Sequence, residues 1–225
     1  MAVVCERFDN LGREDASRTY RLGIMGGTFD PVHVGHLAAA EQVREAFGLD
    51  AVIFMPAGDP WMKKGRSLAP AEDRYAMVAA AVQDNPHFDA SRLEIDRKGE
   101  TYTVDTLRAL RAHYPDNVEL CFISGADAML RVHEWREASE LARLAHLIAV
   151  TRPGYDLGEA RENYRRAHGC DVSLAAFEVT PLEISSTDLR KKVREGRSLR
   201  YLTPQVVANY IAAHSLYGEL RGEEQ

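Results

Sequence analysis

Six short apolar runs alternate with longer amphipathic stretches along this chain, and few folds accept that order. The runs fall at residues 22–25, 51–55, 93–95, 118–123, 146–150 and 172–179. Helical periodicity predicts helices near 35–47, 71–83, 104–113, 134–144 and 157–168, with two more near 187–195 and 204–214. Buried strands separated by crossover helices make a parallel sheet covered on both faces. The expected architecture is therefore α/β: a doubly wound, Rossmann-like parallel sheet in a single domain of residues 21–218, with C-terminal helices beside it. Residues 1–20 carry no helical or strand period and read as a loose N-terminal extension, and 219–225 as a tail.

Composition narrows the partners. The chain has 225 residues, enough for one substantial core, and a formal charge of -6, which argues against a large nucleic-acid footprint. Cys5, Cys121 and Cys170 lie far apart and form no Cys-x-x-Cys pair, so they read as reduced thiols. No stretch approaches the roughly 18 apolar residues that span a bilayer, and no basic start leads into an apolar segment, so no membrane partner and a cytoplasmic location are expected. Homo-oligomerisation is left open.

The chemistry concentrates in LGIMGGTFDPVHVGHLAAAEQV. A buried strand turns through Gly26 and Gly27 and resumes as a helix carrying His33 and His36 on one face, with Gly35 between them. At a helix start the unpaired backbone amides and the dipole favour an anion, so imidazole donors added there can hold a phosphate. Gly35 removes a Cβ where a close approach is needed. Neither histidine alone would distinguish this from an ordinary surface turn; the pair flanking a glycine after a strand does. The stretch matches neither G-x-x-x-x-G-K-[ST] nor G-x-G-x-x-G, which removes the main support for P-loop kinases and hydride-transfer dehydrogenases.

A second candidate lies in PLEISSTDLRKKVREG. Ser185, Ser186 and Thr187 precede an amphipathic helix, where hydroxyls cap orphan amides or donate to phosphate oxygens, and Arg190 projects from its first turn with paired donors. Lys63 and Lys64 sit in a long Gly- and Pro-containing loop between the second strand and the following helix, where either can bring an ammonium over a bound phosphate or stand solvated on the surface. Thr103 or Asp105 can cap the next helix, with Tyr102 at its entry. Gly125 permits a close turn after the fourth strand, Asp127 can accept from a ribose hydroxyl or cap a helix, and Trp135 can stack on an aromatic ring or sit in the core. Asp30, before Pro31, reads as a turn residue without a metal role. The six other histidines show no ligand spacing, and no protein-held metal is expected.

GGTFDPVHVGHL resembles the signature of the nucleotidyltransferase superfamily, with His33-Val34-Gly35-His36 filling its [HT]-x-G-H motif, and ISSTDLR is similar to that superfamily's ISSTxIR. DRKGETYTVDTL resembles the DRxGxSYTxDTL segment of nicotinate-mononucleotide adenylyltransferases, and a Gly-x-Asp and a tryptophan match in the region of Gly125 to Trp135. The resemblance implies adenylyl transfer from ATP to nicotinate mononucleotide, giving nicotinate adenine dinucleotide and pyrophosphate in NAD biosynthesis, with no covalent enzyme intermediate. It implies catalytic roles for His33, His36, Lys63 and Arg190. The ATP site would comprise Gly26, Gly27, Thr28, Phe29, Gly35, His36, Gly125, Asp127, Ile184, Ser185, Ser186 and Arg190. The pyridine nucleotide would meet Tyr102, Thr103 and Trp135, with Thr103 and backbone amides on the carboxylate, and Mg²⁺ would ride mainly on the ATP phosphates. A relative acting on another acceptor, such as a pantetheine-phosphate enzyme, would share the ATP motifs, and a non-catalytic nucleotide sensor would keep ATP binding without pyrophosphate release.

Overall fold

The structure, a computed structural model, describes residues 4–60, 67–151 and 157–218. Six strands form one parallel sheet: β1 (Tyr20–Gly27), β2 (Ala51–Pro56), β3 (Phe88–Ala90), β4 (Val118–Gly125), β5 (His146–Thr151) and β6 (Leu174–Glu178). Their order is β3-β2-β1-β4-β5-β6, so the chain winds outward from β1 to one edge, returns, and winds from β4 to the other. Ligands in such sheets bind beyond the carboxyl ends of the strands where the order reverses, here between β1 and β4.

Helices α1 (Val34–Phe47), α2 (Ala71–Val82), α3 (Thr103–His113), α4 (Ala126–Met129), α5 (Ala138–Leu144), α6 (Gly158–His168), α7 (Ser186–Arg194) and α8 (Gln205–Ala213) cover both faces. β2 shows why its sequence reads as an unbroken apolar run: every residue is buried. Ala51, Ile53 and Met55 pack with Leu107 and Leu110 of α3, while Val52 and Phe54 face Ala40 and Val43 of α1 and Met77 of α2. α8 joins the second face through Val207 and Ile211. No helix among the described residues is long and apolar enough to cross a membrane.

Three expectations are corrected. The strand expected at 93–95 is a turn; the edge strand is Phe88–Ala90, paired through Val52 with Phe88. Its three residues are too few to show a period, and Ser91 ends it by donating its amide to the Phe54 carbonyl (2.9 Å). The helix expected at 134–144 begins only at Ala138, as α5: Glu134 ends a 3-10 turn (Val132–Glu134), and Glu137 takes a left-handed conformation (φ 49°). Residues 4–12, within the stretch expected to be loose, pack on the fold while 13–19 stay exposed: Val4 and Cys5 are buried, and Arg7 donates to the carbonyls of Gln83, Asn85 and Phe88. Long-range side-chain bonds hold this segment, which leaves no period in its sequence. Cys5, Cys121 and Cys170 form no disulfide; burial pushes the Cys5 thiol up to about 12 and that of Cys121 to about 11.

Candidate active site

A cavity of about 580 Å³ opens at the carboxyl ends of β1 and β4. Its lining brings together Gly26, Gly27, Thr28, Phe29, His33, Gly35, His36, Gly125, Asp127, Ile184, Ser185, Ser186 and Arg190. Every residue expected at the ATP phosphates is therefore here except Lys63, which with Lys64 lies outside the described residues.

The two histidines are one unit. Their rings stack with centroids 3.7 Å apart, and the His33 amide donates to Nδ1 of His36 (3.3 Å). An acceptor at Nδ1 puts the His36 proton on Nε2, so the outer nitrogen of a neutral ring is the donor. His33 is 6% exposed, and burial presses its imidazole down to about 4, so it enters as a neutral ring. Phe29 supports His36 edge-on at 5.1 Å, and does so from a left-handed backbone (φ 49°) held by buried packing against Phe54.

Gly35 lines the cavity and also lies against His33. A Cβ there would sit 3.0 Å from Nδ1 of His33, close enough to push on that ring. Gly35→Ala should leave the melting temperature nearly unchanged yet lower kcat on the order of 10²-fold by displacing that ring; steady-state kinetics beside a thermal melt would check it. The helix amides also give less than expected, because Val34 donates to the Leu202 carbonyl (3.1 Å) and His36 to that of His33 (2.9 Å).

α7 reaches the same cavity. Ser185 caps it by accepting from the Asp188 amide (3.1 Å), Ser186 donates to the Pro31 carbonyl (2.9 Å), and Leu189 is buried beneath. Arg190 donates to the Asp30 carbonyl (2.7 Å), with the Asp30 carboxylate 3.7 Å away. Asp30 itself is buried, accepting from Tyr217 (2.7 Å) and from the Ala69 amide (3.2 Å). It thus ties the second motif and the C-terminal end of the fold to the first turn.

A second cavity of about 280 Å³ shares Gly26, Gly27 and Thr28 with the first, and Tyr102, Thr103, Trp135, Thr101, Phe122, Glu94 and Arg136 line it. Trp135 is not on a helix as expected: the break before α5 leaves it extended, edge-on to Phe122 at 6.0 Å. The loop after β2 is fastened to the TYT segment through Thr101, whose hydroxyl accepts from the Asp59 amide (3.1 Å) and whose own amide donates to the Asp59 carbonyl (2.9 Å).

Sequence reasoning missed Arg74, Glu94 and Arg136. Arg74, 2% exposed, donates to the carbonyls of Ala69, Thr28, Ala57 and Gly58 at 3.0, 2.9, 2.6 and 3.0 Å. It joins the first turn to the loop carrying Lys63. A charged residue in an amphipathic helix gives no sign of burial. Glu94 accepts from the Thr106 hydroxyl (2.6 Å), which accepts in turn from Arg97 (3.0 Å). Burial raises its carboxyl to about 7. With the folded value above the ordinary one, the native state holds the extra proton, so this contribution to stability is full below about pH 4.5 and is lost as pH rises through about 7. Glu94→Gln should abolish that dependence, on the order of 3 kcal/mol across the window. Melting curves from pH 4 to 8 test this, and parallel curves for both proteins would refute it.

Fold and site together define a nucleotidyltransferase of the cytidylyltransferase-like class, whose family matches residues 24–192. A relative from Corynebacterium kroppenstedtii, described as a probable nicotinate-nucleotide adenylyltransferase, is 50% identical over 88% of this chain and 90% of its own. Relatives of the same description from Saccharopolyspora erythraea and Desulfitobacterium hafniense are 49% identical over 92% of this chain and 93% of theirs, and 50% identical over 88% and 95%. The nicotinic acid mononucleotide adenylyltransferase of Plasmodium falciparum, solved with NaAD, shares the fold at a TM-score of 0.69 and 17% identity, covering 88% of this chain and 97% of that one. The chain belongs to the nicotinate-nucleotide adenylyltransferase family.

Proposed function

We infer that this enzyme transfers the adenylyl group of ATP to nicotinate mononucleotide, releasing pyrophosphate and forming nicotinate adenine dinucleotide. The observation that carries the reading is the shared wall: one cavity lined by two histidines and Arg190, one lined by aromatic rings, meeting at Gly26–Thr28. Two nucleotides seated in these cavities bring their phosphates together at that turn.

The acceptor's 5'-phosphate oxygen attacks the α-phosphorus in line as the bond to the pyrophosphate oxygen breaks. That nucleophile is already ionised near neutral pH, so no side chain need remove a proton. Both reactants are anions, and the rate gain comes from positioning and from donors aimed at developing charge. His36 and His33 supply imidazole donors, Arg190 a paired one, and Lys63 an ammonium from the loop that Arg74 holds at its base. Gly125 and Asp127 would meet the adenosine ribose, while Trp135 and Tyr102 would hold the pyridine. The described residues offer no cluster of three or more His, Cys, Asp or Glu for a metal. A divalent ion such as Mg²⁺ would be carried mainly on the ATP phosphates and would supply neutralisation of their charge.

Pyrophosphate release with ATP and Mg²⁺ should be strong with nicotinate mononucleotide. Release only with phosphopantetheine would overturn the acceptor assignment, and silence with both would favour a nucleotide sensor.

A further inference from the structure

Nicotinate and nicotinamide mononucleotides share ribose, phosphate and ring and differ in one group: a carboxylate against a neutral carboxamide. A pocket that prefers one must read that charge. Among the described residues lining the aromatic cavity, two carry ionisable charge, Glu94 and Arg136. They differ in depth. Glu94 is 6% exposed on the inner wall, where an incoming carboxylate would meet another carboxyl group. The Arg136 side chain is half exposed at the rim, with its guanidinium carbon 4.7 Å from the centroid of the Tyr102 ring.

We propose that Arg136 is the specificity-determining residue that selects the anionic acceptor, its guanidinium reading the pyridine carboxylate. This deepens the adenylyl-transfer reading and rests on it. The guanidinium is placed without being consumed: it lies over the Tyr102 ring in cation–π range. Its ion pairs, 3.9 Å to Asp105 and 3.6 Å to Glu137, are both longer than a hydrogen bond. Glu137 is held instead by Arg108 at 2.6 Å. A carboxylate stacked against Trp135 can thus take up Arg136 donors that these neighbours leave long, whereas a carboxamide gains much less. The partly wet rim keeps the effect moderate.

The test compares kcat/KM for both mononucleotides in the wild type, Arg136→Gln and Arg136→Lys. In the Gln variant the value for nicotinate mononucleotide should fall about tenfold, mostly through KM, while that for nicotinamide mononucleotide changes less than twofold; Lys should restore part of the gap. Raising salt should narrow the wild-type preference and leave that of the Gln variant flat. Equal losses with both acceptors would mean that Arg136 only shapes the pocket or reads the common phosphate, and no change would mean that it does not touch the acceptor; either overturns the proposal. A wild type inactive with both acceptors would instead sink the adenylyl-transfer reading itself.

Discussion

His36→Ala is expected to lower kcat on the order of 10²- to 10³-fold with the fold intact. The ring carries its proton on Nε2, because Nδ1 accepts the His33 amide, and it lines the phosphate cavity at the end of β1. A donor preorganised toward charge that develops only in the transition state contributes mostly to kcat, at the magnitude seen when one oxyanion donor is removed. Its substitution exposes no core: His36 is half-buried and its aromatic neighbour Phe29 keeps Phe54. Circular dichroism and a thermal melt matching the wild type, beside a collapsed kcat, would fit. Near-wild-type turnover would remove His36 from the mechanism.

Arg74→Met should instead strike the fold. Four backbone carbonyls lose their donor at once, those of Thr28, Ala57, Gly58 and Ala69, in a place closed to water. Leaving buried acceptors unpaired costs roughly 1–3 kcal/mol each, partly relieved by relaxation, so a loss of about 4 kcal/mol or on the order of 10 °C in melting temperature is expected. Arg74→Lys should recover little, because one ammonium cannot fork to carbonyls contributed by the first turn and by both ends of the loop after β2. A melt within a degree or two of the wild type would show that this clip does not hold the site.

How much of this was readable in advance follows from how each residue works. The sheet was legible because β1, β2, β4 and β5 are buried on both faces and their apolar runs are bounded by polar turns. β3 was not, since three edge residues carry no period. His33, His36, Ser185 and Arg190 were legible because they sit within a turn of a helix start, where local sequence dictates geometry. Arg74 and Glu94 act through partners far along the chain, at Thr28 and Thr106 for example, and nothing beside them in sequence marks them as buried. Arg136 stayed hidden because the break at Glu137, which turns Trp135 and its neighbour toward the cavity, runs against the helical period of its segment. Gly35 reads from sequence as room for a ligand; its contact with the His33 ring is a tertiary detail the sequence does not show.

Two nucleotides that meet at one turn should exchange an adenylyl group directly. ATP labelled at the α-phosphorus, mixed with enzyme in a single turnover, tests it most directly. Label is expected in a dinucleotide, in step with pyrophosphate and only when nicotinate mononucleotide is present, with none on the protein. Label on the protein, or release as AMP without acceptor, would contradict it.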